Sequence, residues 1–267
     1  MIDGWILAYV ALGLFSGFIA GLLGVGGGAV MVPLLTMIFA AQGFPESSVL
    51  HLALGTSMAT IVFTSISSVR AHHAHGAVLW PVVRSIAPGI IVGTVSTAQV
   101  AARVPTRPLA LFFACFILYV SVQMLMNFKP KPSRDLPGAV GMTGVGLVIG
   151  GVSAMVAIGG GSLSVPFLTW CNVKVQQAIA TSAAIGFPIA VAGTVGYLIA
   201  GYGETGLPSG SFGYIFMPAL VGTMVASMLT APFGARLAHR LPVPTLKRIF
   251  AGVLVVLAAK MLYRLFG

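Results

Sequence analysis

The sequence predicts an all-α polytopic membrane protein built from two homologous halves. Hydrophobic residues make up 58% of the 267 residues and charged residues only 7%, whereas soluble domains average about 45–50% apolar and about 25% charged residues. Apolar stretches of at least about 18 residues recur along the chain, and one glycine-rich motif occurs twice. These observations favour many membrane-spanning helices and leave no room for a soluble catalytic domain.

Each copy of the glycine-rich motif contains three consecutive glycines, at residues 26–28 and 159–161, followed five residues later by a proline. A constant offset of 133 residues relates the first triplet and its proline to the second. Glycine loses more backbone entropy on ordering than any other residue, so each triplet is predicted to break an apolar helix. A matched pair of broken helices, one per half, typically indicates the binding site of a transporter.

The two halves also match outside the glycines. Residues 53–57, Ala-Leu-Gly-Thr-Ser, correspond to residues 178–182, Ala-Ile-Ala-Thr-Ser. A charged, proline-rich segment at residues 129–137 cannot be helical throughout and marks the boundary between the halves. We therefore expect an N-terminal repeat at residues 1–128, the linker at residues 129–137 and a C-terminal repeat at residues 138–267.

Each half is expected to contain one glycine-broken element followed by three spans. In the first half, these are residues 5–42, 49–69, 78–101 and 108–128. If the triplet only kinks the first element, seven Lys and Arg residues fall on each side of the membrane. The positive-inside rule then gives no orientation.

If the triplet instead returns the chain as a helical hairpin, ten basic residues fall on the side of the linker and four on the other. This is the bias that the positive-inside rule expects. Residues 5–42 would form about 57 Å of helix, nearly two crossings of a bilayer core of about 30 Å. We therefore prefer hairpins, with about 8–10 membrane-crossing segments, inverted repeats, a cytoplasmic linker and two periplasmic termini.

The charged residues exclude several classes of function. The net charge is +10, but the basic residues lie mostly in short loops between spans, which indicates membrane orientation rather than nucleic-acid binding. The four acidic residues, Asp3, Glu46, Asp135 and Glu204, all fall at predicted span ends or in loops. A carboxylate proton relay or a cation site therefore lacks its ligands. No motif for a nucleotide or another cofactor is present.

The predicted site binds a small anion through backbone and hydroxyl donors. A helix that restarts after a glycine triplet directs free N–H groups and the positive end of its dipole at the break. Ser162 follows the second triplet, whereas Ala29 takes the matching place in the first. The glycines can instead serve close packing, and the Thr-Ser hydroxyls can instead bond to their own helix. The expected substrate-binding residues are Gly26, Gly27, Gly28, Thr56, Ser57, Gly159, Gly160, Gly161, Ser162, Thr181 and Ser182.

Histidines and one arginine are weaker candidates. His72-His73-x-His75 suggests a metal site, but no cysteine or carboxylate lies nearby in the sequence, so a solvated loop is the preferred interpretation. His51 is placed to titrate near the pathway, yet a structural histidine is the more common case. Arg84 is the most interior cation and is expected to snorkel to the headgroups. We predict no metal site and no catalytic residue.

Taken together, Gly21-x-x-Gly24-x-Gly26-Gly27-Gly28, the proline that follows and the later Ala-x-x-Thr-Ser resemble the sulfite exporter TauE/SafE family of permeases. The pattern is repeated in the second half, and the resemblance covers essentially the whole chain. It implies a multi-pass inner-membrane protein that moves small anions, typically sulfite, sulfonates or related organic acids.

The sequence thus predicts a secondary transporter that works by alternating access, with a small anion and the lipid bilayer as partners. Transport is passive or coupled to an ion, and neither a cofactor nor a nucleic acid is expected. A passive anion channel is the alternative. An intramembrane hydrolase is a weaker one, because no Ser-His-Asp set, His-Glu-x-x-His motif or buried carboxylate pair is present.

Overall fold

The computed structural model describes residues 3–23, 27–74, 76–126, 133–238 and 243–266. Helices make up most of this part of the chain, together with one short β-hairpin of strands β1 (Ser211–Phe212) and β2 (Ile215–Phe216). The helices are α1 (Asp3–Leu23), α2 (Gly28–Ala41), α3 (Val49–His73), α4 (Trp80–Arg103), α5 (Thr106–Leu125), α6 (Ala139–Val156), α7 (Gly161–Trp170), α8 (Val175–Ala200), α9 (Met217–Ala238) and α10 (Val243–Phe266).

Seven helices in the described part of the chain are long and apolar enough to cross a membrane, namely α1, α3, α4, α5, α6, α8 and α9. The prediction of an all-α polytopic membrane protein is confirmed. The spans predicted after the first element correspond to α3, α4 and α5, with ends that differ by a few residues. Helices α2 and α7 have only 14 and 10 residues, or about 21 Å and 15 Å, and are too short to cross alone.

The chain reverses direction between α1 and α2. Gln42, just after the end of α2, donates a side-chain hydrogen bond to the hydroxyl of Tyr9, near the start of α1. Phe39 of α2 packs on the same tyrosine, with 6.4 Å between the ring centroids. The start of α1 and the end of α2 therefore lie on one side of the molecule, which we call the terminal side.

A second reversal occurs between α6 and α7. The indole N–H of Trp170 donates to the hydroxyl of Ser133 over 2.8 Å, and the Ser133 N–H donates to the Trp170 carbonyl over 3.2 Å. Asn172 donates to the carbonyl of Arg134 over 3.1 Å. These contacts join the end of α7 to the described end of the linker, residues 133–137, on what we call the linker side. Linker residues 129–132 lie outside the described residues.

Helices α3 and α8 cross at the centre of the molecule. In α3, 83% of the most apolar stretch is buried, against 33–56% in the other six spans. The two helices run antiparallel, because a Cβ on Gly55 would lie 3.2 Å from Tyr197 and one on Gly193 would lie 2.8 Å from the sulfur of Met58. Since α3 starts from the terminal side, α8 starts from the linker side. Polar groups on α3 therefore face protein rather than lipid.

The outer helices pack across the two halves of the sequence. Helix α1 lies along α9 of the second half, and α6 lies along α4 of the first. Glycines bring both pairs close, since Gly17 of α1 faces the backbone of Ser227 and Gly146 of α6 faces the carbonyl of Ile86. Likewise α3 contacts α9 and α8 contacts α4. Each half repeats the contacts of the other, so the two predicted repeats intertwine and are not separate bodies.

The β-hairpin at residues 211–216 was not predicted from the sequence. Gly210 and Gly213 have positive φ angles of 91° and 55° and permit its turns. The hairpin leads into α9, and the N–H of Phe216 donates to the hydroxyl of Thr56 in α3. It therefore ties the start of α9 to the central helix on the terminal side.

Candidate functional site

The helices are interrupted twice, between α1 and α2 (the first break) and between α6 and α7 (the second break). These two breaks meet at the centre of the molecule. A Cβ on Gly28, the first residue of α2, would overlap the carbonyl oxygen of Ala157, which follows α6. A Cβ on Gly186 of α8 would stand 2.8 Å from the carbonyl oxygen of Gly159. Only residues without a side chain allow backbones to approach this closely. The structure therefore brings the two predicted glycine segments together, beside α8.

One glycine in each triplet has a left-handed conformation at the start of a helix. Gly27 (φ 72°) is the N-cap of α2, and Gly160 (φ 80°) is the N-cap of α7. A Cβ on Gly27 would lie 2.7 Å from the carbonyl oxygen of Ser16, and one on Gly160 would lie 2.7 Å from Cδ1 of Ile189. Both glycines are thus required by conformation and by space. Gly26 lies outside the described residues.

Ala157 is a residue with a Cβ in the same left-handed region, with φ 45° and ψ 39°. Its counterpart at the offset of 133 residues is Gly24. This conformation costs an L-residue about 1–2 kcal/mol and persists where the surrounding structure fixes the backbone. The contact with Gly28 fixes it here. The carbonyl of Ala157 is therefore held against Gly28 at a local cost in stability.

The start of α7 presents hydrogen-bond donors that lack acceptors. Its N-cap Gly160 has no side chain to cap the helix, and among the described residues nothing accepts from the N–H groups of Gly161 and Ser162. The Ser162 side chain is only 5% exposed, and its hydroxyl has no partner in the described part of the chain. Ser164, by contrast, donates to the Gly160 carbonyl over 2.6 Å. A buried donor without an acceptor costs about 1–3 kcal/mol, which a bound anion would offset.

The start of α2 is more apolar than that of α7. Ala29, fully buried, takes the position that corresponds to Ser162. In both helices the first turn closes on its own N-cap, since the N–H of Met31 donates to the Gly27 carbonyl over 3.1 Å and that of Ser164 donates to the Gly160 carbonyl over 2.7 Å. The two breaks are therefore unequal in the side chain that follows the triplet, as their sequences indicate, and alike in this backbone hydrogen bond.

The threonines of the two Thr-Ser pairs join the halves of the protein. Thr56 of α3 accepts the N–H of Phe216 over 2.9 Å, and Thr181 of α8 accepts the N–H of Leu79 over 3.0 Å. Phe216 and Leu79 directly precede α9 and α4, so each threonine oxygen satisfies an N–H at the start of a helix from the other half. Both threonines therefore have a structural function at the start of a helix.

The serines of the same pairs differ from each other. Ser57 is fully buried and its hydroxyl meets no partner among the residues that the structure describes, whereas Ser182 donates to the carbonyl of Ile179 over 2.8 Å. Ser57 lies one helical turn before Ile61 on the same face of α3. The Cδ1 atom of Ile61 would be 3.0 Å from a Cβ on Gly28. Ser57 therefore lies on the face of α3 that adjoins the first break.

A narrow cavity adjoins the breaks toward the linker side. It measures about 10 Å³, which is room for about one water molecule. Ser68 of α3 contributes a buried hydroxyl for which the described residues offer no partner, whereas Ser65 donates to the carbonyl of Val62. These serines were not predicted, although Ser57, Thr64 and Ser68 recur at helical spacing on one face of α3. The lining consists of Ala20, Ile61, Thr64, Ser65, Ser68, Gly159, Ala183 and Gly186.

Aromatic rings close the terminal side of the molecule. Phe39 stacks on Phe44 with 5.1 Å between centroids, and Phe216 meets both rings edge-on at 5.5 and 5.0 Å. Tyr9 packs on the other face of this cluster through Phe39. Rings at these separations attract one another beyond their burial. The cavity at the breaks is thus separated from the terminal side by packed side chains.

Ionised groups are absent from the buried part of the described structure. No Asp, Glu, Lys or Arg occurs among its buried residues, and every Lys and Arg whose side chain is described, including Arg84, is exposed. Nε2 of His51 lies 3.1 Å from the carbonyl of Val104 and 3.3 Å from that of Ala101, which ties this histidine to the backbone. No group of three metal-ligating side chains occurs in the described residues; His75 lies outside them.

Comparisons with known proteins agree over nearly the whole chain. The model of the sulfite exporter TauE/SafE family matches residues 9–261. A probable membrane transporter protein of Haemophilus influenzae is 37% identical over 262 residues, covering 96% of this chain and 98% of that protein. Probable membrane transporter proteins of Bacillus subtilis, YunE, and of Methanocaldococcus jannaschii are each 24% identical; they match 95% of this chain and 96% and 94% of their own lengths. No solved structure gives a match.

Proposed function

We propose that this membrane transporter, which belongs to the sulfite exporter TauE/SafE family, carries a small anion such as sulfite, a sulfonate or a related organic acid across the cytoplasmic membrane. The anion binds where the two helix breaks meet. Transport is by alternating access, in which the two intertwined repeats move about this site and expose it to one side at a time.

The uncapped start of α7 carries the proposal. It leaves two backbone N–H groups and the Ser162 hydroxyl without acceptors among the described residues, at the second break. Ser57 adds a buried hydroxyl on the adjoining face of α3. Such donors complement the oxygens of an anion, whereas a cation would need acceptors and negative charge. No acidic side chain is buried in the described structure to supply them.

In this proposal the two halves form an inverted repeat in the membrane. Each half contains a chain reversal, with contacts at Tyr9 and Gln42 in the first and at Ser133 and Trp170 in the second. An odd number of crossings per half then inverts the second half relative to the first. The hairpin arrangement predicts ten of the fourteen basic residues on the linker side, so we place it in the cytoplasm and the terminal side in the periplasm.

The packing favours a carrier over a passive channel. The cavity beside the breaks has room for about one water molecule, and aromatic rings close the terminal side. A channel needs a continuous open path, whereas a carrier is closed on at least one side in each state. An intramembrane hydrolase has little support, because the described structure buries no carboxylate to orient a histidine base.

Uptake by proteoliposomes tests this function. Purified protein reconstituted into vesicles should take up radiolabelled sulfite or a sulfonate with saturable kinetics, and unlabelled anion inside the vesicles should accelerate the uptake. Flux that rises linearly with concentration and shows no such acceleration would indicate a channel. Uptake of an organic cation in preference to every anion would contradict the anion site itself.

A further inference from the structure

We propose that Met58 closes the substrate path on the terminal side of the breaks, and that Ser153 lines this path when it opens. The inference rests on the proposed function, because it treats the two halves as an inverted repeat. In such a repeat, each residue near the site has a counterpart in the other half that lies toward the opposite side of the membrane. The cavity on the linker side therefore has a counterpart location on the terminal side.

Sequence offsets identify the residues at the counterpart location. Helices α3 and α8 match at an offset of 125 residues, which relates residues 53–57 to residues 178–182. Helices α1 and α6 match at the offset of 133 residues that relates the glycine triplets. Two residues that line the cavity, Ile61 and Gly186, are counterparts of each other. The cavity and its counterpart location therefore share these two residues and adjoin each other.

Met58 of α3 fills space that its own counterpart leaves open on the linker side. That counterpart is Ala183, which lines the cavity. Met58 is fully buried, and a Cβ on Gly193 of α8 would lie 2.8–3.1 Å from three atoms of its side chain. Since α8 starts from the linker side, Gly193 lies closer to the terminal side than Gly186 does. A large side chain thus occupies the terminal side at the position where the linker side has an alanine and a cavity.

Ser153 has the properties of a residue that meets the path only in another conformation. It is the counterpart of Ala20, which lines the cavity. Its side chain is fully buried, and its hydroxyl finds no partner within the described residues. Tyr197, one turn beyond Gly193 in α8, donates to the carbonyl of the adjacent Ala154 over 2.9 Å, which locates this end of α6 toward the terminal side. A buried hydroxyl without a partner is unfavourable, and an anion or a water in an open path would offer it an acceptor.

The unequal side chains predict which side opens more easily. Methionine is unbranched and flexible, so it can fill an irregular space in one conformation and leave it in another. Opening on the terminal side removes Met58 from its contact with Gly193, whereas opening on the linker side needs only the smaller Ala183 to move. Burial of the Met58 side chain therefore stabilises the state that is closed on the terminal side.

The reactivity of a cysteine at position 153 tests the inference. Ser153→Cys is made in a protein in which Cys115 and Cys171 have been replaced, and spheroplasts are treated with 2-sulfonatoethyl methanethiosulfonate, an anionic reagent that does not cross the membrane. We expect slow reaction while Met58 is present and at least about tenfold faster reaction with Met58→Ala, because this substitution favours the open state. Met142→Ala, which also shortens a buried methionine, should leave the rate unchanged.

Two further variants separate closure of the path from general loss of packing. Met58→Leu keeps the buried volume and should keep the slow reaction. Met58→Val removes less of the side chain and should give a smaller increase than Met58→Ala; it also provides the measurement if the alanine variant does not reach the membrane. In the protein that retains Met58, Ser68→Cys treated in inverted vesicles should react faster than Ser153→Cys in spheroplasts, because the linker side already has a cavity.

The possible results separate the inference from the proposed function. An unchanged rate for Ser153→Cys on introduction of Met58→Ala, or an equally large increase with Met58→Leu, would overturn the closure by Met58 and leave anion transport in place. No reaction of Ser153→Cys in any variant would overturn the path along this residue. Anion uptake by the unsubstituted protein is measured separately in proteoliposomes, and its absence would contradict the proposed function whatever the cysteine rates.

Discussion

The carbonyl oxygen of Ala157 occupies the space that a Cβ of Gly28 would need. This contact joins the end of α6 to the start of α2 and brings the breaks of the two halves together. Ser162 follows Ala157 by five residues, and Ser57 lies one helical turn before Ile61, which adjoins Gly28; neither hydroxyl has a partner among the described residues. Gly28 is required here for close approach of the backbone rather than for a left-handed conformation.

Gly28→Ala should therefore abolish transport. The added methyl group would overlap the Ala157 carbonyl, and relief would require the two breaks to separate. Gly144→Ala is the matched control, because a Cβ on this α6 glycine would meet nothing within 4 Å. Uptake and the amount of protein in the membrane should be measured for both variants. Normal uptake by Gly28→Ala would show that the breaks do not need to touch.

Ala157→Gly should stabilise the protein. Glycine adopts φ 45° without the cost that alanine bears there, and the expected net gain is about 0.5–1 kcal/mol after the greater entropy of the unfolded chain is included. Ala154→Gly, in the helical part of α6, should destabilise by a similar amount. Thermal unfolding in detergent compares the two variants, and a loss of stability on Ala157→Gly would argue against strain at the second break.

Thr181→Val should destabilise the protein by about 1–3 kcal/mol. The substitution keeps the shape of the side chain and removes the acceptor of the Leu79 N–H, which then lacks a partner in a partly buried position. Thr181→Ser keeps the hydroxyl and should retain most of the stability. Thermal unfolding gives the ranking. Equal stability of the Val and Ser variants would show that this hydrogen bond does not hold the start of α4.

The membrane topology can be tested with two exposed positions. Leu136, in the linker, and Tyr202, after α8, are 39% and 78% exposed. In the hairpin arrangement a cysteine at 136 reacts with an impermeant maleimide only from the cytoplasm, and one at 202 only from the periplasm. Cys115 and Cys171 should be replaced first, so that neither reacts with the maleimide. Cys171 is expected to react slowly in any case, because burial raises the pKa of its thiol and less of it is the reactive thiolate at neutral pH. Labelling of both positions from one side would instead support a kinked single crossing.

The sequence could predict the spans and the importance of the breaks because both depend on local composition. Apolar length identifies α3, α4 and α5, and consecutive glycines identify the ends of α1 and α6. The unequal chemistry at Ala29 and Ser162 is equally visible in the sequence. These features need no knowledge of which helix packs on which.

The remaining features depend on tertiary contacts between the halves. Nothing near Thr56 or Thr181 in sequence indicates that each accepts an N–H from Phe216 or Leu79, far along the chain. The partners of α1 and α6 are likewise not adjacent in sequence, and Ser68 gains significance only because it lines the cavity between α3 and α8. Periodicity places residues on a helix face, but it does not say what that face meets.

The most direct test of the central claim is the effect of Ser162→Ala on anion binding, measured by calorimetry with a singly charged anion that the transporter carries. Ser162 offers a buried hydroxyl without a partner at the start of α7, and a hydrogen bond to a charged ligand contributes about 1.5–3 kcal/mol. We expect roughly ten- to a hundredfold weaker binding, and no change for Ser121→Ala, whose hydroxyl bonds to its own helix. Equal and negligible losses in the two variants would contradict an anion site at the meeting point of the breaks.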